Sequence, residues 1–382
     1  MKRVRQDPKD PDFVQNPYPF YAAQPPLFFW EDYGMVCARA YAPVNQLLRD
    51  RRLGREGPET VRPAEQEPFW AVEAHSMLEL EPPRHTRLRG LVLRAFTSRR
   101  IAALAPEIEA LAHKLLDDIE RQADFDLITD FAQPLPVIVI ARLLGVPEDR
   151  AADLLRWSNA MVRMYMVGRT RADEIAAAEA ARDFCAFLGG YIDARRSDPR
   201  DDLITHLIAV EEDGQRLSTD EMLSTCILLL NAGHEATVHT LGNGVKALLE
   251  ADHRRIDEGT VEEVLRFDPP LHLFTRWVYE PVEVFGETLT PGTQIGLLLA
   301  AANRDPGRWD QPDVFLPGRP VQTHAAFGAG THFCIGAPLA RLELLTALRV
   351  LFNRLPGLRI AQPPVYADIY HFHGLEQLIL SQ

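Results

Sequence analysis

With 382 residues, 46% of them hydrophobic, the chain can bury a large core in one, two or three domains, and length does not choose among these. The formal net charge of -13, with no long basic block, excludes a nucleic-acid-binding face as the dominant feature. Met1 to Pro19 is charged and proline-rich rather than signal-like, and no run reaches the roughly 20 apolar residues that cross a bilayer, so a soluble, cytoplasmic protein is expected.

In chain order, the opening to about Asp50 reads as irregular and proline-rich, and Gly54 to Pro68 as a loop. Helix then dominates. Ile101 to Glu120, Arg150 to Arg163, Ala172 to Arg195 and Thr219 to Leu249 carry alanine, leucine and charge at three-to-four spacing, with Ser218 or Thr219 as N-cap of the last. Strand signals are sparse and cluster between Arg276 and Leu299, where Val282 and Val284 alternate with charged residues and Thr290-Pro291-Gly292 marks a turn before Ile295. No linker or repeat divides residues 1–382, so the expectation is one mainly α domain with a small β region towards the C-terminal half.

The four cysteines, Cys37, Cys185, Cys226 and Cys334, are too scattered for a disulfide framework. Cys334 stands apart, in Phe327-Gly328-Ala329-Gly330-Thr331-His332-Phe333-Cys334-Ile335-Gly336, directly before Ala337-Pro338 and a helical pattern with Leu339, Leu342, Leu345, Leu348 and Phe352 on one face. Amides at a helix start stabilise a thiolate, proline suits the first turn, and the glycines let backbone approach the sulfur and a flat ligand. A buried structural cysteine is the plainer alternative; zinc lacks a second ligand pair at fitting spacing.

Two further segments carry candidate chemistry. In Leu228-Leu229-Leu230-Asn231-Ala232-Gly233-His234-Glu235-Ala236-Thr237, mid-helix Gly233 costs about 1 kcal/mol against alanine. With Ala232 it opens a notch for a flat cofactor beside Glu235, a candidate proton relay, or for a helix crossing. Glu263 and Arg266 lie three apart on one helical face that Pro269-Pro270 ends; by spacing alone they are an ordinary surface pair.

The string from Phe327 to Gly336 closely resembles the haem-binding loop of the cytochrome P450 family, as in its soluble bacterial members, and matching segments recur in family order from about Glu81 to Glu343. The resemblance implies a haem-thiolate fold, with haem b between a long distal helix and the helix that follows the cysteine loop. Cys334 would be the iron ligand, within a loop that includes Phe327 and Gly328, and its thiolate would donate electron density that favours O–O cleavage. His85, Arg89, Arg276 and His332 would hold the propionates, and a buried triad of Glu263, Arg266 and Arg319 would clamp a helix to the meander that follows Asn303-Arg304-Asp305-Pro306. In the family's oxygen-binding helix an acid is followed by a threonine. Here Glu235 is followed by Ala236, and Thr237 faces about 100 degrees away, so an ordered water, a substrate hydroxyl or a peroxide route would replace the missing alcohol.

The implied pocket includes Phe69, Trp70 and Met77, Met161 to Met166, Leu228, Asn231 and Ala232, His272 to Phe274, and His371-Phe372-His373. Methionine and aromatic side chains suit a small or medium hydrophobic substrate. No nucleotide-binding glycine turn is present, so electrons would come from an iron-sulfur ferredoxin and its reductase, docking on Arg94, Arg99, Arg100 and Arg341. The expected activity is monooxygenation; a peroxide-using or non-oxygenating haem-thiolate enzyme and a non-catalytic haem sensor are the alternatives.

Overall fold

The computed structural model describes residues 1–58, 61–166, 168–210, 214–370 and 372–382. Two strands, β1 (Leu27–Trp30) and β2 (Met35–Ala38), and helix α1 (Tyr41–Arg49) occupy the segment whose prolines suggested an irregular opening. The short run Leu-Phe-Phe-Trp is buried along nearly its whole length, so it lacks the alternation that marks a half-exposed strand.

The helices α2 (Arg84–Ala95), α3 (Pro134–Leu144), α4 (Ala151–Val162), α5 (Arg171–Ser197) and α6 (Thr219–Glu250) follow. The helix expected over Ile101 to Glu120 is instead two, Ser98–Ala103 and Ala105–Ile119, because Pro106 is accommodated in a first turn and not in a helix interior. Ser218 caps α6: its hydroxyl accepts from the Glu221 amide at 3.1 Å and the Glu221 carboxylate accepts from the Ser218 amide at 2.9 Å.

Helix α7 (Glu258–Phe267), strands β3 (Leu273–Val278) and β4 (Gln294–Leu298), and helix α8 (Ala337–Arg354) complete the elements used below. Among the described residues the main sheet has six strands in the order Arg3–Val4, β1, β2, β4, β3, Leu53–Gly54. β2 pairs parallel with β4, Cys37 opposite Gly296, and β4 pairs antiparallel with β3. The sheet is therefore not confined to the C-terminal half; four of its six strands come from the first 54 residues.

By backbone contacts the chain forms two compact units. One comprises Met1–Gly57, Glu107–Ala132 and Ala236–Gln382; it contains the main sheet, α7, α8 and the C-terminal half of α6. Its core joins Leu47, Val278, Ile295 and Leu297, and beside them Phe13, Phe28, Trp30 and Tyr370. The other comprises Pro58–Pro106 and Gln133–Glu235 and is helical, with Trp157 of α4 against Phe184 of α5 at 5.2 Å between ring centroids. Buried Arg195 there holds Asp202 and donates to the Gly145 carbonyl at 2.9 Å.

Candidate functional site

The cysteine loop is shaped by backbone bonds before any side chain acts. The Gly328 amide donates to the Ala325 carbonyl at 2.9 Å, and the Cys334 amide reaches back to the Phe327 carbonyl at 3.0 Å. Gly330 adopts φ +70, and a Cβ there would stand 2.5 Å from the Leu48 carbonyl, so both its conformation and its space require glycine. Gly328, at φ +66, has only the His332 carbonyl near its Cβ position, at 3.9 Å. α8 starts at Ala337 with Pro338 in its first turn.

Burial separates the cysteines. It pushes the thiols of Cys37 and Cys226 up, the latter to about 12, and that of half-buried Cys185 to about 11. Those three are poor thiolates. Cys334 is half-buried in a loop that runs into a helix N-terminus.

On α8 the buried stripe is Leu339, Glu343, Leu344, Ala347, Leu348, Leu351 and Phe352, whereas Leu342 and Leu345 are only half-buried, so the apolar face is rotated from the one expected. A carboxylate consequently lies in the core, and burial pushes Glu343 up to about 8. Its spacing four residues after Leu339 and four before Ala347 is the signal that sequence reading passed over. Arg341 is engaged by Glu262 of α7 through bonds of 2.5 and 3.0 Å, and His324 meets the same carboxylate at 3.2 Å. Burial alone would raise Glu262, but these bonds outweigh it and hold the carboxyl down to about 2. Arg341 is thus paired with Glu262 while its side chain stays 37% exposed, so part of its charge in the expected basic patch is already answered within the chain.

The structure brings Glu263, Arg266 and Arg319 together. Arg266 donates to both Glu263 oxygens, at 2.7 and 2.8 Å, and Arg319 Nε stands 3.3 Å from Oε2. Arg266 also donates to the carbonyls of Asn303 and Pro312 at 2.9 and 2.8 Å, and Leu316 N–H to Glu263 at 2.8 Å. Glu263 and Arg266 are buried, so this is not the surface pair that spacing alone suggests.

His272 is not on a pocket wall. It is fully buried among Tyr18, Tyr21, Tyr370 and His373, with the Tyr21 hydroxyl 3.0 Å from Nδ1. Burial first, then His373, pushes its pKa well down, and it is neutral. Beside it Asp268 accepts from the hydroxyls of Tyr18 and Tyr366, both at 2.6 Å, and faces His373 Nδ1 at 3.4 Å. His373 Nε2 donates to the Val14 carbonyl at 2.9 Å. His373 is thereby tied into the core and not available to complete a pocket; Phe372 is buried, and His371 lies outside the described residues. Phe274 of β3 is half-buried, and Arg276, buried on the same strand, donates to the Thr275 carbonyl at 2.8 Å. His332 is half-buried in the cysteine loop.

In the other unit, His85 and Arg89 lie one turn apart on α2, the first buried and the second half-buried. Asn231 of α6 is buried and its amide lies 3.9 Å from Met161 Sδ; Leu228 is half-buried and Ala232 exposed. Phe69 and Met77 are buried, and Phe69 meets Trp70 at 5.1 Å and Tyr165 at 6.2 Å. The notch at Gly233 has a packing reason: a Cβ there would stand 2.6 Å from Ile140 Cδ1 of α3. Of the two uses expected of the notch, the close approach of Ile140 is the one on view. Glu235, the last residue of this unit, is half-buried; in the first unit, where α6 continues, Thr237 is buried and the Ala236 carbonyl accepts a bond from the Thr240 hydroxyl at 2.6 Å.

A sequence profile described as Cytochrome P450 matches residues 250–355. Over 342 residues the chain is 39% identical to Cytochrome P450 107B1 of Saccharopolyspora erythraea, spanning 85% of this chain and 82% of that protein. This chain belongs to the cytochrome P450 family. It is also similar to the cytochrome P450 monooxygenase PikC of Streptomyces venezuelae, 37% identical over 92% of this chain and 87% of PikC. The solved structure of P450BioI in complex with hexadec-9Z-enoic acid ligated acyl carrier protein matches with a TM-score of 0.92 at 33% identity, over 97% of this chain and 99% of that one. The fold is thus the cytochrome P450 fold, the cofactor of the family is haem b, and the activity class is that of a haem-thiolate monooxygenase.

The residues present fit haem. Cys334 is the cysteine at a helix start outside the core, Gly328 leaves open space beside the loop, and the same unit offers donors suited to carboxylates in buried Arg276 and half-buried His332.

Proposed function

We propose that this cytochrome P450 inserts one oxygen atom from O2 into a small or medium hydrophobic molecule, with electrons supplied by a ferredoxin and its reductase, and that residues 1–382 act as one domain. The observation that carries the reading is Cys334, half-buried ahead of α8 in a loop that glycines alone can trace. When bound, haem supplies the redox and oxygen-activating chemistry. Cys334 gives it a thiolate, and the α8 amides favour that anion.

His85, Arg89, Arg276 and His332 bind the propionates. Glu235 moves protons on α6. Ala236 offers no hydroxyl, so a water held by Glu235, or a hydroxyl of the substrate, takes the place of the family's threonine. Leu228, Asn231, Ala232 and Phe274 remain the proposed substrate contacts, Asn231 supplying the polar group. Exposed Arg94 and Arg99 offer charge to an acidic ferredoxin.

The same alanine favours a second reading, in which peroxide replaces oxygen and reductant. Turnover that needs both oxygen and reduced ferredoxin separates the first from it.

The deciding experiment is the visible spectrum of purified, reduced protein under carbon monoxide. A strongly red-shifted Soret band, lost in Cys334→Ser, is expected; a band of the histidine-ligated type, or one that survives the substitution, overturns the assignment.

A further inference from the structure

Buried His234 precedes Glu235 on α6, and its ring is held in one orientation. Nδ1 lies 3.0 Å from the Leu230 carbonyl, which can only accept, so Nδ1 carries a hydrogen. Ser158 Oγ of α4 stands 3.4 Å from the same nitrogen. The other nitrogen, Nε2, faces two groups at once: the amide oxygen of Asn159 at 3.3 Å and Glu235 Oε2 at 3.8 Å. Asn159 is exposed, His234 is buried and the Glu235 side chain is 14% exposed, so the three form a path from an open surface inwards.

We infer that His234 is a positioning and proton-passing residue for Glu235, linking its carboxylate to water at Asn159 and compensating for the alcohol missing at Ala236. The inference rests on the role proposed above for Glu235. Asn159 Oδ1 and the Glu235 carboxylate only accept, so Nε2 also carries a proton when the ring faces them. The imidazolium gives this Nε2 proton to the Glu235 carboxylate, which becomes the neutral acid; the neutral ring, with Nδ1 keeping its own hydrogen on Leu230, then takes a proton back at Nε2 from hydronium in the water at Asn159. The separation of 3.8 Å exceeds a hydrogen bond, so the Glu235 side chain turns towards the ring to receive it. One atom serves both transfers, and the ring never has to rotate.

The ring faces Ser158 and Asn159 from α4 and Leu230 and Glu235 from α6, and Glu235 is the titratable one among these. Two measurements on the haem-loaded full chain test the inference. In the first, 15N-histidine spectra of the reduced, carbon-monoxide-bound protein are recorded, with His234→Asn identifying the resonances. Nδ1 should stay protonated at every pH, and Nε2 should be the nitrogen that titrates and that moves in Glu235→Gln. A ring protonated on Nε2 with bare Nδ1 overturns the inference.

In the second, protein reduced beforehand is mixed with oxygen and excess reduced plant-type ferredoxin in H2O and in D2O. Asparagine keeps a donor for Leu230 but cannot titrate. His234→Asn should slow oxygen consumption at least tenfold, a floor set below the roughly hundredfold low end for loss of a proton-transfer group, and should enlarge the H2O/D2O rate ratio. A rate within twofold of wild type, or a loss with an unchanged ratio, refutes it, the latter because it marks a merely structural role. A wild type that itself lacks the red-shifted carbon monoxide band would instead refute the haem-thiolate reading.

Discussion

Glu343 shows how one residue inside a helix couples packing to pH. Its carboxyl is buried on α8 and pushed up to about 8, so the folded chain keeps a proton between about pH 4.5 and 8 that the unfolded chain releases. Since the unfolded state binds fewer protons over that window, stability must fall as pH rises through it, by ~1.4 kcal/mol for each pH unit as an upper bound. Glu343→Gln should flatten this slope and stabilise the protein at pH 8 relative to wild type; denaturant titrations at pH 5 and pH 8 read it, and an equal slope in both proteins would show that Glu343 is ionised in the fold. Glu262 runs the other way. Held down to about 2 by His324 and Arg341, it contributes stability that is present above the ordinary carboxylate range and lost as pH falls towards 2.

Elements meet where side chains are absent as much as where they are present. Gly233 lets Ile140 of α3 approach α6 so closely that a Cβ would stand 2.6 Å from Cδ1. Gly233→Ala gains about 1 kcal/mol of helix propensity, and because the near atom is the free end of Ile140, which can turn aside, the loss stays near the ~1 kcal/mol low end of overpacking, so a near-neutral change is expected. Ile140→Val removes that methyl and should make Gly233→Ala stabilising in a double-mutant cycle read by thermal melting. Additivity of the two changes would exclude the contact as the reason for the glycine. From sequence alone a notch and a crossing look the same, because both need only a small residue on one helical face.

Other elements were legible to different degrees, for physical reasons. α5 and α6 announce themselves through periodicity and caps, Thr170 with Asp173 and Ser218 with Glu221, which are local bonds. β1 and β2 do not: they pair with each other across a short turn, but β2 joins the rest of the sheet through β4, far along the chain, and β1 is buried along nearly its whole length, so neither shows a local alternation. His272 and His373 looked like pocket residues because histidine near a turn is free to be polar; the tyrosine hydroxyls that claim Asp268 and His272 come from residues 18, 21 and 366, remote in sequence.

At the scale of the molecule, the clamp formed by Glu263, Arg266 and Arg319 joins α7 to the carbonyls of the meander from Asn303 to Val314. Glu263→Ala would leave two guanidinium groups without their shared carboxylate in a buried site, at a cost of about 3 to 5 kcal/mol, a large part of the stability of an ordinary domain. Haem loading and melting temperature should fall together, and haem-loaded Glu263→Ala protein that melts with wild type would refute this. By itself the sequence determined the helix-rich class, the family and the loop around Cys334, because these rest on local periodicity and on a contiguous string whose glycines have few other uses. Only the tertiary structure decided which polar residues are buried, that Arg341 pairs with Glu262, that His272 belongs to the Asp268 cluster and that Ile140 packs at Gly233. Burial and long-range partners set the charge state and role of a side chain, and neither is written in its neighbours along the chain.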